Sequence, residues 1–197
     1  TVPFINGWDN SYHPCQILAD ALTILEKFGT LDVNLMYIGA KNNVFNSHVE
    51  FFSKMKKGTL YGLTPLVNET ACGPDFYEEA KKSGHYIELD PAMSMEEAKE
   101  YANKMDVLYT DTWVDMEFFN NPAYQKQKEE TLAKMMPYQL NGDFTKDSKA
   151  IVFHDMPMHV GFEISQDVVD KNLDHILDEA ENRRHAEKAV MYTLLNS

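Results

Sequence analysis

The sequence predicts an α/β fold: a doubly wound, parallel five-stranded sheet of Rossmann-like form with helices on both faces. Three observations lead there. Short apolar, β-rich runs alternate with amphipathic stretches, the pattern of βαβ units. The strand candidates are apolar nearly throughout, as strands covered on both faces must be. The polar residues that interrupt this pattern gather just after particular strands. Right-handed crossovers and one reversal of winding give an order such as 3-2-1-4-5. The crevice then lies beyond the carboxyl ends of strands 1 and 4, with strand 5 beside them.

Each element has its own signal. A first helix, Pro14–Phe28, opens on a proline, whose missing N–H costs nothing in a first turn. Strand 1 is Val33–Ile38, followed by a helix over Asn42–Met55. Strand 2 is Thr59–Leu66 and leads to a helix over Phe76–Ser83; strand 3 is His85–Leu89. The spacing Ser94-Met-Glu-Glu97 is that of a capping box and opens a helix over Ser94–Asn103. Strand 4 is Asp106–Asp111. Asn121-Pro122 then places a capping residue before a proline and opens a helix over Pro122–Met135. Strand 5 is Ala150–His154, and a last helix covers Ala180–Leu195.

Composition narrows the function classes. The 197 residues include eleven Phe, ten Tyr, two Trp and eleven Met, ample for a core. Thirty-one acidic against eighteen basic residues give a formal charge of −13. Only Lys54, Lys56 and Lys57 cluster, so a nucleic-acid partner is disfavoured. Two cysteines make neither a disulfide scaffold nor a zinc site. No apolar run reaches the ~18 residues of a membrane span. No secretory leader is expected, and the expected class is a soluble, cytoplasmic protein.

The three crevice segments each allow two readings. Gly39-Ala40-Lys41-Asn42-Asn43 turns from strand into helix and suits a carboxylate or phosphate, or else an Asn caps the helix. It lacks the glycine pattern of dinucleotide sites, which disfavours NAD and a generic nucleotide-binding domain. Asp111 ends an apolar strand and can accept a proton or orient an amine, or simply form a turn. Asp115 and Glu117 make the following loop anionic, fit for a cationic substrate or for solvent. His154-Asp155-Met156-Pro157 sets an imidazole and a carboxylate at the end of strand 5. The plain alternatives there are a His bonded to backbone and an Asp155 turned toward Lys41. His13 and Gln16 lie three apart at a helix start, where both can face one ligand. Arg183 and Arg184, read as lying in the first turn of the last helix, run against the helix dipole, which an anion would relieve.

Taken together, these segments resemble the transcarbamoylases, most closely the ornithine carbamoyltransferases. The likeness runs from Asn6-Gly7 through His13-Pro-Cys-Gln16-Ile-Leu-Ala-Asp20, Ile38-Gly-Ala-Lys-Asn-Asn43-Val and Thr110-Asp-Thr-Trp113-Val. It continues in Tyr138-Gln-Leu-Asn141, His154-Asp-Met-Pro157 and Glu179-Ala-Glu-Asn-Arg183. It implies a hinge helix over residues 1–30, carrying the His-Pro-x-Gln motif, and an amino-acid-binding domain over 31–197. The family's N-terminal carbamoyl-phosphate domain, with its Ser-x-Arg-Thr-Arg signature, is expected to be absent. The first and last helices would pack on that domain, and the complete protein would be a homotrimer.

The implied reaction moves the carbamoyl group of carbamoyl phosphate to the side-chain amine of ornithine, giving citrulline and phosphate, with no cofactor and no metal. The resemblance assigns His13 and Gln16 to the carbamoyl group and Asn43 to the amino acid's α-carboxylate. Asp111 would hold the reacting amine, and Arg183 would polarise the carbonyl. Asp115, Met116 and Met156 fall in the amino-acid-binding segments, and Asp155 joins the candidate catalytic set. Two departures stand out. Asp115-Met116-Glu117 replaces the family's Ser-Met-Gly, and Asp155 replaces the cysteine of His-Cys-Leu-Pro. They leave open a different diamine or amino acid as substrate, and a non-catalytic amino-acid-binding or regulatory domain built on this fold.

Overall fold

The computed structural model describes residues 2–114 and 116–196, apart from the side chains of Met116 and Glu117. Asp115 therefore lies outside the described residues. The chain begins with α1 (Pro14–Phe28), β1 (Asn34–Lys41), α2 (Asn43–Met55), β2 (Thr59–Val67) and α3 (Pro74–Lys81). It continues with β3 (Tyr86–Glu88), α4 (Met95–Ala102), β4 (Val107–Thr110), α5 (Met116–Phe119) and α6 (Gln125–Met135). Then come α7 (Gly142–Thr145), β5 (Ile151–His154) and α8 (Gln166–Leu195).

The five strands form one all-parallel sheet in the order β3-β2-β1-β4-β5, the expected doubly wound arrangement. Strand alternation splits the core in two. Leu35, Tyr37, Val107, Tyr109 and Phe153 face one way, onto Val44, Phe45, Val49 and Phe52 of α2 and Ile24 of α1. Met36, Ile38, Leu108 and Val152 face the other way, onto Ala98 and Ala102 of α4 and Val168 and Ile176 of α8. Gly62 lies level with Tyr37 in the sheet. A Cβ there would come within 2.7 Å of the Phe45 ring, so the bare backbone is what lets α2 pack so closely.

Several expected boundaries change; strand 1, expected to end at Ile38, runs on to Lys41, and three helices move as well. The helix expected over Phe76–Ser83 runs over Pro74–Lys81, starting on a proline that fits a first turn. The one expected over Pro122–Met135 opens as a 3-10 turn, Pro122–Tyr124, before α6. The last helix begins at Gln166, not Ala180. Asp167, Asp170, Asn172 and Asp174 are weak helix formers and mask its early part. Its buried residues Val168, Val169, Ile176 and Glu179 still keep a helical period. Arg183 and Arg184 thus sit in mid-helix, and the expected conflict with a first-turn dipole does not arise.

The long α8 also closes an edge. β5 is the last strand of the sheet, and its outward backbone N–H groups would be open to pairing. Two of them find acceptors on α8: Val152 N donates to Asn172 Oδ1 at 3.0 Å, and His154 N to Glu179 Oε2 at 2.9 Å. Beyond this edge α8 packs along α1. There Leu18, Leu25, Met191, Tyr192 and Leu195 stay substantially exposed, an apolar face without a cover among the described residues. No helix among those residues is long and apolar enough to cross a membrane.

Candidate active site

The carboxyl ends of β1, β4 and β5 meet as expected. At the end of β1, Asn42 is the N-cap of α2: its Oδ1 accepts from Phe45 N at 2.9 Å. Its amide then donates to Asp111 Oδ2 at 2.7 Å, and Thr112 N donates to Asp111 Oδ1 at 2.6 Å. Asn42 therefore joins two strand ends with one side chain. Burial first, and the nearby Asp155 second, raise the Asp111 carboxyl to about 7.

Asn43, the expected α-carboxylate ligand, opens the first turn of α2 and donates its amide to the backbone oxygen of Asp9 at 2.9 Å. It is half-buried, one residue after Asn42, and of the two asparagines it is Asn42 that fills the expected capping position.

Asp155 follows β5. Its Oδ1 accepts from Arg183 Nη1 at 3.3 Å. Lys41 pairs with Glu88 instead, which removes the reading that turned Asp155 toward Lys41. Burial raises Asp155 to about 6 against the pull of Arg183. Met156, expected to bind substrate, packs against the core on the α4 and α8 face of the sheet. The Met156–Pro157 peptide bond is cis.

Arg183 reaches from α8 to α1, and its Nη2 lies 2.6 Å from His13 Nε2. His13 Nδ1 lies 3.3 Å from Gln16 N. A neutral imidazole has one lone pair, and the shorter, charge-assisted contact with the guanidinium claims it. Burial, then the Arg183 charge, lower His13 to about 4. His13 is therefore neutral at pH 7, and its 3.9 Å approach to Asp155 is not an ion pair there. His13 N also donates to Ser47 Oγ at 2.7 Å, which ties the start of α1 to α2.

His154 turns away from this cluster. Its Nε2 is 3.1 Å from Glu163 Oε1, which also accepts from His159 N. Burial pushes His154 down, but Glu163 and Asp111 outweigh it and hold the ring above its ordinary value. His154 is buried, as its plain reading had it, but its ring pairs with the Glu163 carboxyl and not with backbone.

The structure thus brings together Asp111, Asp155, Arg183, His13 and Gln16, with Asn43 at the margin. The arrangement has one guanidinium and one neutral imidazole on the α1/α8 side and two carboxyls on the strand side. It can hold a carbonyl oxygen with the guanidinium and an amine with the carboxyls, which suits transfer of an acyl-type group to an amine. Sequence reasoning weighed Asn42 only as a possible helix cap and missed Asp20, His48 and Glu163 as parts of this region. No group of three or more His, Cys, Asp and Glu among the described residues could hold a metal ion.

Comparison with known proteins adds relatives. Residues 31–194 match the family model for the aspartate/ornithine carbamoyltransferase Asp/Orn binding domain. The ornithine carbamoyltransferase of Pyrococcus horikoshii is 37% identical over 211 residues, covering 99% of this chain and 59% of that protein. That of Archaeoglobus fulgidus is 34% identical over 201 residues, covering 99% of this chain and 60% of its own. Among solved structures, the ornithine carbamoyltransferase of Pyrococcus furiosus superposes with a TM-score of 0.78 at 34% identity, over 97% of this chain and 59% of that one. The enzyme of Thermus thermophilus gives 0.77 at 30% identity, over 99% of this chain and 60% of that one. This chain spans about 60% of the length of these relatives.

Proposed function

Since this chain belongs to the aspartate/ornithine carbamoyltransferase family, we propose that it forms the amino-acid-binding part of an enzyme that carbamoylates ornithine. The hinge helix over residues 1–30 and the binding domain over 31–197 are the two units of that reading. The observation that carries it is the convergence of Arg183 and His13 opposite Asp111 and Asp155, across the ends of three strands.

In the reaction, the neutral δ-amine of ornithine attacks the carbonyl carbon of carbamoyl phosphate. A C–N bond forms, the negative charge moves to the carbonyl oxygen, and the C–O bond to phosphate then breaks as the amine's proton passes to the departing phosphate. Arg183 donates to that oxygen as charge develops on it. His13 and Gln16 position the carbamoyl group, and Asp111 accepts from the amine and aims it. Asn43 takes the α-carboxylate, with Asp115, Met116 and Met156 in the surrounding segments. The complete protein works as a cytoplasmic homotrimer, without metal or cofactor.

A second reading keeps the chemistry and changes the amine. It is favoured by one feature: Asp155, where the family carries a thiol, adds a second buried carboxyl near Asp111. The added charge attracts any strongly basic amine, ornithine's included, so it widens the choice of amine without excluding ornithine.

The test is citrulline formation from ornithine and carbamoyl phosphate by the full gene product, with lysine and putrescine as competing amines. Steady citrulline production is expected. Binding of ornithine without turnover would instead identify a non-catalytic amino-acid-binding protein. The 197-residue chain by itself carries no Ser-x-Arg-Thr-Arg phosphate signature, and its turnover is expected to be negligible.

A further inference from the structure

Beneath the cluster lies a group of buried ionisable side chains that the reaction does not use. Asp20 of α1, His48 of α2 and Glu179 of α8 are almost fully buried, at 3%, 1% and 1% exposure. Asp20 and Glu179 flank the Gln16 amide, and His48 lies against Asp20. Gln16 Nε2 lies 2.9 Å from Asp20 Oδ1 and 2.9 Å from Glu179 Oε1, with Tyr109 OH farther off at 3.4 Å. An amide nitrogen has two hydrogens, and the two carboxyls take both. What Gln16 keeps for a ligand is its carbonyl oxygen.

The cluster also fixes where one proton sits. His48 Nδ1 is 3.0 Å from Val44 O, a carbonyl that can only accept, so Nδ1 carries the hydrogen. His48 Nε2 then holds a lone pair, and it faces Asp20 Oδ2 at 3.3 Å. Neither atom has a hydrogen-bond partner among the described residues. Two acceptors at that distance in a dry interior repel unless a proton lies between them. One proton on Asp20 Oδ2 satisfies both.

We propose that Asp20, His48 and Glu179 form a proton-sharing anchor that locks the Gln16 amide with its oxygen as the ligand-facing group, making Asp20 and Glu179 positioning residues for a ligand offering N–H donors there. In the carbamoyl reading, on which this rests, those donors are the carbamoyl NH2. Around Asp20, burial and then Asp155 oppose its charge, while the hydrogen bonds with Glu179 and Gln16 and the Arg183 charge favour it; Tyr109 stays un-ionised. Burial dominates and raises Asp20 to about 8, while it lowers His48 to about 4. Glu179 has a further duty: its second oxygen accepts from His154 N at the end of β5, one residue before Asp155. The anchor therefore spans both walls of the cleft.

The test uses the full gene product. Nitrogen-15 histidine NMR, with the His48 signal assigned by its loss in His48→Gln, is expected to show His48 neutral and protonated on Nδ1 at pH 7. An imidazolium there overturns the shared proton. Asp20→Asn keeps a donor for His48 and an acceptor for Gln16. It is expected to hold kcat/KM for carbamoyl phosphate within about threefold of the parent. Asp20→Ala is expected to lower that ratio about 100-fold while KM for ornithine stays put. Equal losses in the two variants, or a loss confined to ornithine, overturn the positioning role. Should Asp20→Ala not fold, His48→Phe removes the acceptor together with the Nδ1–H bond to Val44 O; an approximately tenfold loss in the same ratio supports the anchor, and full retention overturns it. A parent protein without carbamoyl transfer overturns the underlying reading, and the NMR result then decides the anchor by itself.

Discussion

The two ends of the same strands differ in kind. At their amino ends, Leu35 and Met36 of β1, Val107 and Leu108 of β4 and Val152 of β5 are buried among apolar neighbours. At their carboxyl ends the equally buried positions are Asn42, Asp111 and His154, with Asp20 and Glu179 behind them. Burial helps at the first end, by about 25 cal/mol per Å² of apolar surface. At the second it works against the charged form, which is why Asp20, Asp111 and Asp155 are all held above the ordinary carboxyl range. A sheet that only had to fold would carry apolar groups at both ends. The contrast separates the residues that hold the molecule together from those proposed for chemistry.

The sharpest way to break the contrast is to change one residue at each end. Asp111→Asn removes the carboxylate proposed to hold the amine. Citrulline formation by the full gene product is expected to drop by about three orders of magnitude, about 4 kcal/mol in the barrier. Its thermal midpoint should move little. Leu108→Ala, at the other end of β4, should do the reverse. A fully buried Leu cut to Ala costs about 2–5 kcal/mol of stability, read from denaturant unfolding, with KM for both substrates unchanged at temperatures where it stays folded. A large activity loss in folded Leu108→Ala would show that the two ends are not separable.

How much of this contrast could be read in the sequence depends on the kind of residue. The strands announce themselves as apolar runs, and their order 3-2-1-4-5 follows from handedness and winding. Asp111 and Asp155 were visible because each breaks an apolar run at its end. Asp20 was not, since a lone Asp in a helix reads as solvent-facing. Its position gave a hint: it shares a helical face with Gln16, Thr23 and Ile24, all buried. What buries it, however, is His48 on α2 and Glu179 on α8, and no local pattern shows three distant segments closing on one proton. The start of α8 was hidden for the opposite reason, its apolar residues diluted by aspartates with poor helix propensity.

A pH series sharpens the contrast further. Asp20 and Asp111, raised to about 8 and about 7, keep protons that the unfolded chain has already lost at its ordinary carboxyl value. The stability they contribute is complete in acid and fades as pH rises through those values. His154, also raised, acts in the same direction above its ordinary value. His13 and His48, lowered to about 4, act oppositely: their contribution is complete above the ordinary histidine value and fades as pH falls toward 4. Between about pH 6.5 and pH 8 the raised groups act alone, so stability should fall with rising pH, by up to about 1.4 kcal/mol per pH unit for each proton released. Asp20→Asn should remove up to one proton's share of that slope, measured by urea unfolding across the range. An unchanged slope would mean that Asp20 is ionised throughout.

The smallest expected effect belongs to Asp155, which lies on the boundary between the two roles. Attack requires a neutral amine, and a carboxylate close by favours the ammonium form, so Asp155 should raise the pH at which the bound amine loses its proton. The structure tempers this, because Arg183 donates to Asp155 and offsets part of its charge. Asp155→Cys in the full gene product should therefore move the rising limb of the kcat–pH profile down by about one unit or less, leaving the maximal rate within about threefold. It also frees Arg183 for the carbonyl oxygen, which pushes the rate up, not down. A general base would behave differently: its removal would cost about 100- to 10,000-fold at every pH. An unchanged profile would reduce Asp155 to a tether for Arg183. In that case the contrast between the two ends of the sheet would rest on Asp111 and the buried anchor alone.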